Sequence, residues 1–324
     1  MKLDAAHQLW MNVTVSAKVR EADDIYSFRL TAADGETLPR FAAGAHIDVE
    51  VAPGLVRQYS LCNVAEQART GYEIAVLLTQ PSRGGSAGMH AIEAGQTVRI
   101  SAPRNHFGLT ATSGRSILIA GGVGITPILS MAAELHAQSR AFELHFSARS
   151  PARAAFHQRL AECAFARHVR FYFDSEGQKL DLAEIARSRQ PDDHLYVCGP
   201  GGFMDFVLGE SERLGWSKTQ LHQEYFSPPA SETGGDAPFE VRIASTGEVF
   251  PVPVDRTVVE VLAEHGIEIP TSCEQGICGT CITRVLSGSI DHRDFILSEA
   301  EKARNDQFTP CCSRAACKRI ELDL

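Results

Sequence analysis

The sequence predicts a multidomain α/β plus β protein, in which an antiparallel β-barrel is followed by a doubly wound parallel α/β sheet and a small cysteine-bearing domain. Three observations carry that expectation. Residues 10–110 hold short stretches of alternating apolar and polar residues, broken by Gly and Pro. From Ser116 onward, short apolar runs alternate with stretches of helical periodicity. After a segment rich in Pro, Gly and Ser, six of the nine cysteines fall between Cys273 and Cys317.

In the first part, residues 13–15, 26–30, 46–51 and 73–76 alternate with period two, the pattern of strands with one buried face. An antiparallel barrel or sandwich is the architecture this implies. In the second part, Ser116-Ile-Leu-Ile-Ala120 is continuously apolar, as a strand covered on both faces must be. Helices are expected over 127–138, 152–163, 182–187 and 203–214, and strands over 143–146, 169–173, 195–198 and 223–226. That alternation builds a parallel, doubly wound sheet. Residues 227–237 lack periodicity and read as a linker. Beyond them, 239–243 and 249–254 flank a Ser-Thr-Gly turn as a hairpin. Thr257 and Glu260 form a capping box that opens a helix, Gly266 is placed to end it, and 319–324 is a closing strand. The expected domains are therefore 1–110, 111–226 and 238–324.

Composition narrows the function. A hydrophobic content of 44% supports ordinary cores. A formal net charge of −9 argues against a nucleic-acid partner, because binding a phosphate backbone leans on a basic surface. The N-terminal residues hold no apolar run long enough for a signal peptide, and no stretch of 18 apolar residues occurs anywhere. No membrane association is expected, and a cytoplasmic monomer is the simplest expectation. In that compartment thiols stay reduced, so clustered cysteines point to metal rather than to disulfides.

The cysteine spacing is specific. Cys273-x4-Cys278-x2-Cys281 is followed, after 29 residues, by Cys311. Four thiolates at this spacing hold a plant-type [2Fe–2S] cluster. A tight loop must place three sulfurs around one edge of the cluster, and Gly276 and Gly279 supply the backbone angles it needs. Structural zinc normally pairs two C-x2-C knuckles, and this loop offers one. Cys312 adjoins Cys311 and Cys317 lies close by; spacing favours Cys311 as the fourth ligand.

Two further motifs point to phosphate-bearing ligands. Gly121-Gly122-Val123-Gly124-Ile125-Thr126-Pro127 follows a buried strand and opens a helix. Its glycines allow a pyrophosphate close to the backbone, Thr126 is placed to cap, and Pro127 fits the first turn. Arg83-Gly84-Gly85-Ser86 offers successive N–H groups as an anion-binding nest, and Arg57 of Arg57-Gln58-Tyr59-Ser60 is able to pair with a phosphate.

Taken together, Ser272–Cys281, Asp291-His-Arg-Asp294, Pro310-Cys-Cys-Ser-Arg314 and the Leu-Asp-Leu terminus resemble the phthalate dioxygenase reductase family, with vanillate demethylase reductases among the nearest in appearance. These are the reductase components of Rieske-type oxygenases and demethylases, and the resemblance covers essentially the whole chain. It implies a flavin-binding β-barrel, a nicotinamide domain and a β-grasp plant-type ferredoxin domain, in that order. It implies FMN as the flavin, held by Arg57, Gln58, Tyr59 and Ser60 and by Arg83, Gly84, Gly85 and Ser86, with Ser60 near the flavin N5. It places Cys198 and Gly199 beside the nicotinamide ring, and Phe226 as an aromatic shield that nicotinamide displaces. The pyrophosphate turn then comprises Gly122, Gly124, Thr126 and Pro127. Arg149, where a ribose-binding acid is usual, suits a 2′-phosphate, whereas the family mostly uses NADH; NADH is the expectation. A flavin between a hydride donor and a one-electron cluster bridges the mismatch in electron number. From Phe239 onward there are fourteen acids against nine Lys and Arg, a balance suited to docking on a basic face of an oxygenase partner. A redox sensor without catalysis would not need the nucleotide turn, and a plain flavin reductase would not need four ligand cysteines.

Overall fold

The computed structural model describes residues 10–32, 36–65, 70–82, 84–227 and 236–324. They form two compact units, 1–226 and 227–324.

The first unit begins with β1 (Trp10–Ala22), β2 (Ile25–Ala32), β3 (His46–Ala52), β4 (Leu55–Ser60), β5 (Tyr72–Leu77) and β6 (Thr97–Ser101), and a short helix α1 (Gly85–Ala91) lies between β5 and β6. The six strands form one sheet in the order β4-β3-β6-β1-β2-β5, antiparallel at every pairing. The inward residues of the alternating pattern, Val13, Val15, Phe28, Leu30, Ile47, Val49, Ile74 and Ile100, close its interior. Helix α1 adds to the expectation, which had an anion-binding nest over residues 83–86 and no helix after it. Its Gly-Ser-Ala-Gly composition carries almost no helical signal, and the helix is held by packing instead.

The same unit continues with β7 (Ser116–Gly121), α2 (Ile125–Ala137), β8 (Phe142–Ala148), α3 (His157–Glu162), β9 (Val169–Phe173), α4 (Leu182–Arg187), β10 (His194–Cys198), α5 (Gly201–Arg213) and β11 (Leu221–Glu224). The sheet is parallel throughout, in the order β11-β10-β7-β8-β9, and every residue of β7 is buried. Two expectations are corrected. The helix expected over 152–163 is a 3-10 turn at Pro151–Arg153 followed by the shorter α3, because Phe156 adopts a left-handed φ of 62° between them. The last strand ends at Glu224, which leaves Tyr225 and Phe226 beyond it.

Apolar contact makes the barrel and the parallel sheet one body. Ala22, Ile25, Cys62 and Ala75 of the barrel share a core with Ile128, Met131 and Leu135 of α2. Polar contacts fix the same face: Ser130 Oγ donates to the Asn63 carbonyl at 3.0 Å, and Ala43 N–H to Glu134 at 2.9 Å. Arg159 of α3 pairs with Glu73 of β5 at 2.9 Å.

The second unit comprises β12 (Phe239–Ile243), β13 (Val249–Val252), α6 (Val258–Glu264), β14 (Thr283–Ser287), β15 (Ile290–Asp291), α7 (Glu299–Arg304), β16 (Gln307–Phe308), β17 (Arg314–Ala315) and β18 (Arg319–Leu322). Its main sheet runs β13-β12-β18-β14-β16, with β12 and β18 parallel, and α6 packs Val258, Val261 and Leu262 against it. The Thr257–Glu260 capping box forms as expected, and Gly266 takes the left-handed φ of 76° that stops the helix.

Gly124 shows how tightly this frame holds the nucleotide turn. A Cβ there would collide with the Cys198 carbonyl oxygen and approach Gly199 N at 2.7 Å. Gly124→Ala therefore has no backbone room, and we expect a loss of about 2–3 kcal/mol, read as a fall in the denaturant midpoint. An unchanged midpoint would show that the α2–β10 contact yields more easily than this packing implies.

Candidate functional site

Two strand registers build the centre of the first unit. In the barrel His46 stands opposite Ser60 across β3 and β4; in the parallel sheet Cys198 stands opposite Glu224 across β10 and β11. One hydrogen bond joins them: Ser60 Oγ donates to Glu224 Oε2 at 3.1 Å. His46 Nδ1 lies 3.9 Å from the other Glu224 oxygen. Four side chains from two sheets thus converge on one point.

Burial sets their charge states. Desolvation raises the Glu224 carboxyl from 4.5 to about 8, only partly opposed by the Ser60 hydrogen bond, so it is largely protonated at neutral pH. The Cys198 thiol is pushed well above its usual range, first by burial and then by Glu224, and stays neutral. Burial, helped by Arg104 and His106, lowers the His46 imidazole well below its ordinary value. The centre is a set of buried, neutral polar groups, suited to orienting a ligand rather than to attacking it. Sequence reading assigned roles to Ser60 and Cys198 and none to Glu224 or His46. Neither carries a clear signal: Glu224 ends a strand of mixed exposure, and His46 shares the phase of Asp48 and Glu50 rather than that of the core residues Ile47 and Val49.

The residues assigned to the flavin phosphate come together. Gly84 has the left-handed φ of 87° and caps α1, and a Cβ on Gly85 would fall 2.6 Å from Arg57 Cγ and 3.0 Å from its Nε. Arg57 therefore lies across the Gly84-Gly85 turn, 27 and 28 positions away in sequence. Ser86 Oγ is engaged by Thr79 Oγ1 at 2.9 Å and Ser82 Oγ at 3.1 Å. Arg83 lies outside the described residues. Tyr59 is largely buried, and that burial raises its phenol above the ordinary range. Gln58 Nε2 and both His46 nitrogens are buried without a hydrogen-bond partner. Orphaned polar atoms of this kind are what a barrel shaped around a polar ring system leaves when described alone, so the residues fit a flavin.

The nucleotide turn is built largely as read. Gly122 takes φ 55° in a 3-10 turn at Gly122–Gly124, and α2 follows with Pro127 in its first turn. Thr126 is corrected: it does not cap α2, because its buried hydroxyl donates to the Val123 carbonyl at 3.1 Å, and no side chain caps the helix. Gly199 packs its backbone against Gly121 and the Phe203 ring. Arg149 is exposed at the end of β8, and its carbonyl accepts the Ser175 N–H at 2.9 Å. This contact brings Asp174, an exposed acid at the end of β9 that sequence reading overlooked, beside Arg149. Phe226 lies two residues past β11 and is 36% exposed.

In the second unit the four expected ligands are all buried and fall into pairs. Cys281 Sγ and Cys311 Sγ are 3.3 Å apart. Cys273 and Cys278 share a hydrogen bond, which draws the Cys278 thiol down to about 6 and pushes Cys273 up. Backbone donors aim at the sulfurs: Gln275 N–H at Cys273 (3.3 Å) and Thr280 N–H at Cys278 (3.5 Å). Among the described residues no three His, Cys, Asp or Glu side chains converge as a single-ion site requires. Two pairs of thiols are instead what a binuclear cluster needs, since each iron takes two protein sulfurs and shares the sulfides. The residues fit [2Fe–2S] better than zinc. No helix among the described residues is long and apolar enough to cross a membrane.

The fold and these two sites define an NAD(P)H-dependent oxidoreductase with a flavin-type barrel and a [2Fe–2S] ferredoxin domain. Residues 118–208 match the oxidoreductase NAD-binding domain, and residues 241–316 match the 2Fe-2S iron-sulfur cluster binding domain. The vanillate O-demethylase oxidoreductase of Pseudomonas sp. strain HR199 is 53% identical over 97% of this chain and 100% of its own length. The phthalate dioxygenase reductase of Burkholderia cepacia is 37% identical over 97% and 98%. Among solved structures, phthalate dioxygenase reductase matches 97% of this chain and 98% of its own at a TM-score of 0.73 and 37% identity. A self-sufficient type IV cytochrome P450 monooxygenase matches with a TM-score of 0.88 and 36% identity, through 97% of this chain and 41% of that one. The chain belongs to the phthalate dioxygenase reductase family.

Glu224 yields a pH signature. Its folded value near 8 lies above the ordinary 4.5, so the neutral carboxyl's contribution to stability is complete below about 4.5 and declines as pH rises through 8. Glu224→Gln, neutral at every pH, is expected to gain stability relative to the parent between pH 5 and pH 9 in paired denaturant titrations. A parallel pH response of the two proteins would show that Glu224 is ionised in the folded state.

Proposed function

We propose that this chain oxidises NADH and delivers the electrons singly to the oxygenase component of a Rieske-type aryl demethylase, using FMN and a [2Fe–2S] cluster held by Cys273, Cys278, Cys281 and Cys311. The working parts are 1–110 for FMN, 111–226 for the nucleotide and 238–324 for the cluster. The observation that carries the reading is the convergence of Ser60, Cys198 and Glu224 in a chain that also presents two thiol pairs. The likeness to vanillate O-demethylase oxidoreductases over nearly the whole chain supports a demethylase as the system served. The reading includes a cytoplasmic monomer, a setting in which clustered thiols stay reduced and free to hold a cluster.

When bound, a flavin accepts hydride and releases electrons one at a time, which neither nicotinamide nor the cluster does alone. Arg57, with Arg83, Gly84, Gly85 and Ser86, takes the flavin phosphate, while Gln58 and Tyr59 line the ring. Ser60, its hydroxyl held by Glu224, would be fixed in position beside the flavin N5. Cys198 and Gly199 orient the nicotinamide, Gly122, Gly124, Thr126 and Pro127 shape the pyrophosphate turn, and Phe226 covers the ring until nicotinamide arrives. Glu224 acts through Ser60, holding its hydroxyl in one rotamer.

NADH over NADPH rests on Asp174 beside Arg149. An acid there accepts from the ribose hydroxyls and repels a 2′-phosphate. Anaerobic NADH is expected to bleach the visible bands of the purified protein well before an equal amount of NADPH, and acid-released flavin is expected to have the mass of FMN. Asp174→Ser is expected to raise the NADPH to NADH ratio of kcat/KM about tenfold. An unchanged ratio would remove Asp174 from the nucleotide site, and release of FAD would overturn the FMN assignment.

A further inference from the structure

A groove of about 330 Å³ opens at one end of the parallel sheet, and its lining includes Arg115, Phe142, Glu143, Arg167, His168 and Arg170. Arg115 precedes β7, Phe142 opens β8 and His168 precedes β9, so the groove sits at the N-terminal ends of three adjacent strands. The pyrophosphate turn and Arg149 stand at the opposite ends, ~17 Å away along β7 at ~3.3 Å per residue. The volume is that of a pocket for a small organic ligand. Three arginines face one carboxylate here, on a chain of formal net charge −9.

The arginines are held to different degrees. Arg115 is fixed from within: its guanidinium lies 2.9 Å from the wholly buried Asp193, which also accepts its backbone N–H at 2.7 Å. Arg170 reaches Glu184 at 3.4 Å in an exposed pair, a contact weak enough to yield to a ligand. Arg167 donates its Nε–H to His168 Nε2 at 3.1 Å and pairs with no acid among the described residues. Phe142 and His168, whose rings meet at 5.1 Å, supply an aromatic wall. Glu143 lies 3.6 Å from His145 Nε2 and 3.4 Å from Arg115, and these neighbours hold its carboxyl below the ordinary value. It is therefore an acceptor at neutral pH.

We propose that the groove binds a small aromatic carboxylate bearing a ring hydroxyl. Arg167 and Arg170 take the carboxylate, the ring lies between the guanidinium planes and the aromatic wall, and the hydroxyl donates to Glu143. Arginine suits both tasks, because its planar fork matches a carboxylate and its face stacks on a ring. An anion with no hydroxyl to offer, such as fully ionised phosphate, meets Glu143 as a like charge instead. The site is separate from the nucleotide site by its place on the sheet, and the inference does not rest on the flavin or cluster assignments.

The test is a calorimetric titration of the full-length protein with 4-hydroxybenzoate at constant ionic strength, with benzoate and inorganic phosphate as comparators. Saturable one-to-one binding is expected. Arg167→Ala is expected to weaken it about tenfold, the loss that follows removal of a charged hydrogen-bond partner, and Arg170→Gln to weaken it by a similar factor. Benzoate, which lacks the hydroxyl, is expected to bind about fivefold more weakly than 4-hydroxybenzoate to the parent protein. Glu143→Gln is expected to narrow that ratio. Both arginine variants are expected to bleach with NADH as the parent does, since neither residue belongs to the electron path. Absence of saturable binding, equal affinity in the parent and both arginine variants, or phosphate binding as tightly as 4-hydroxybenzoate would overturn the proposal.

Discussion

The hydrogen bond from Ser60 to Glu224 is the constraint on which the first unit's site depends. Ser60 ends a barrel strand and Glu224 ends a strand of the parallel sheet, so the contact is made only when two independently hydrogen-bonded sheets meet in one orientation. Neither residue is able to shift alone. Each is tied by strand register to a second site residue, Ser60 to His46 and Glu224 to Cys198. Burial keeps Glu224 protonated against the pull of the Ser60 hydrogen bond, and that bond gives the buried carboxyl a polar partner it would otherwise lack. The shared core beneath α2 holds the two sheets in that orientation.

The second unit solves a different problem. Its loop must bring three thiols together with one from a distant segment, and it does so with left-handed backbone at Glu274, Gly276 and Gly279. The two glycines adopt that backbone readily, so the conformational cost falls on Glu274. Pairing of the sulfurs, rather than convergence on a point, distinguishes a binuclear cluster site from a mononuclear one.

Much of this was legible in the sequence because periodicity and spacing encode it directly. The buried β7, the capping box at Thr257, helix α4 and the C-x4-C-x2-C loop all stand where their patterns put them. Patterns with no local signature were missed. Helix α1 is composed of weak helix formers, and α3 is shortened by the left-handed Phe156 that tertiary packing imposes. Thr126 looked like a cap, yet its hydroxyl found a nearer carbonyl in the preceding turn. Glu224, His46 and Asp174 acquire roles only through neighbours distant in sequence. Single-residue reading has no means to find the Ser60–Glu224 contact, which spans 164 positions.

The most direct test of the account is anaerobic mixing of Cys278→Ser with NADH, following flavin absorbance and the reduction of an added one-electron acceptor, cytochrome c. The account predicts that the flavin bleaches as in the parent protein while delivery to cytochrome c falls to the slow level of direct flavin oxidation. Undiminished delivery with the cluster absent would contradict the claim that electrons leave through the paired cysteines.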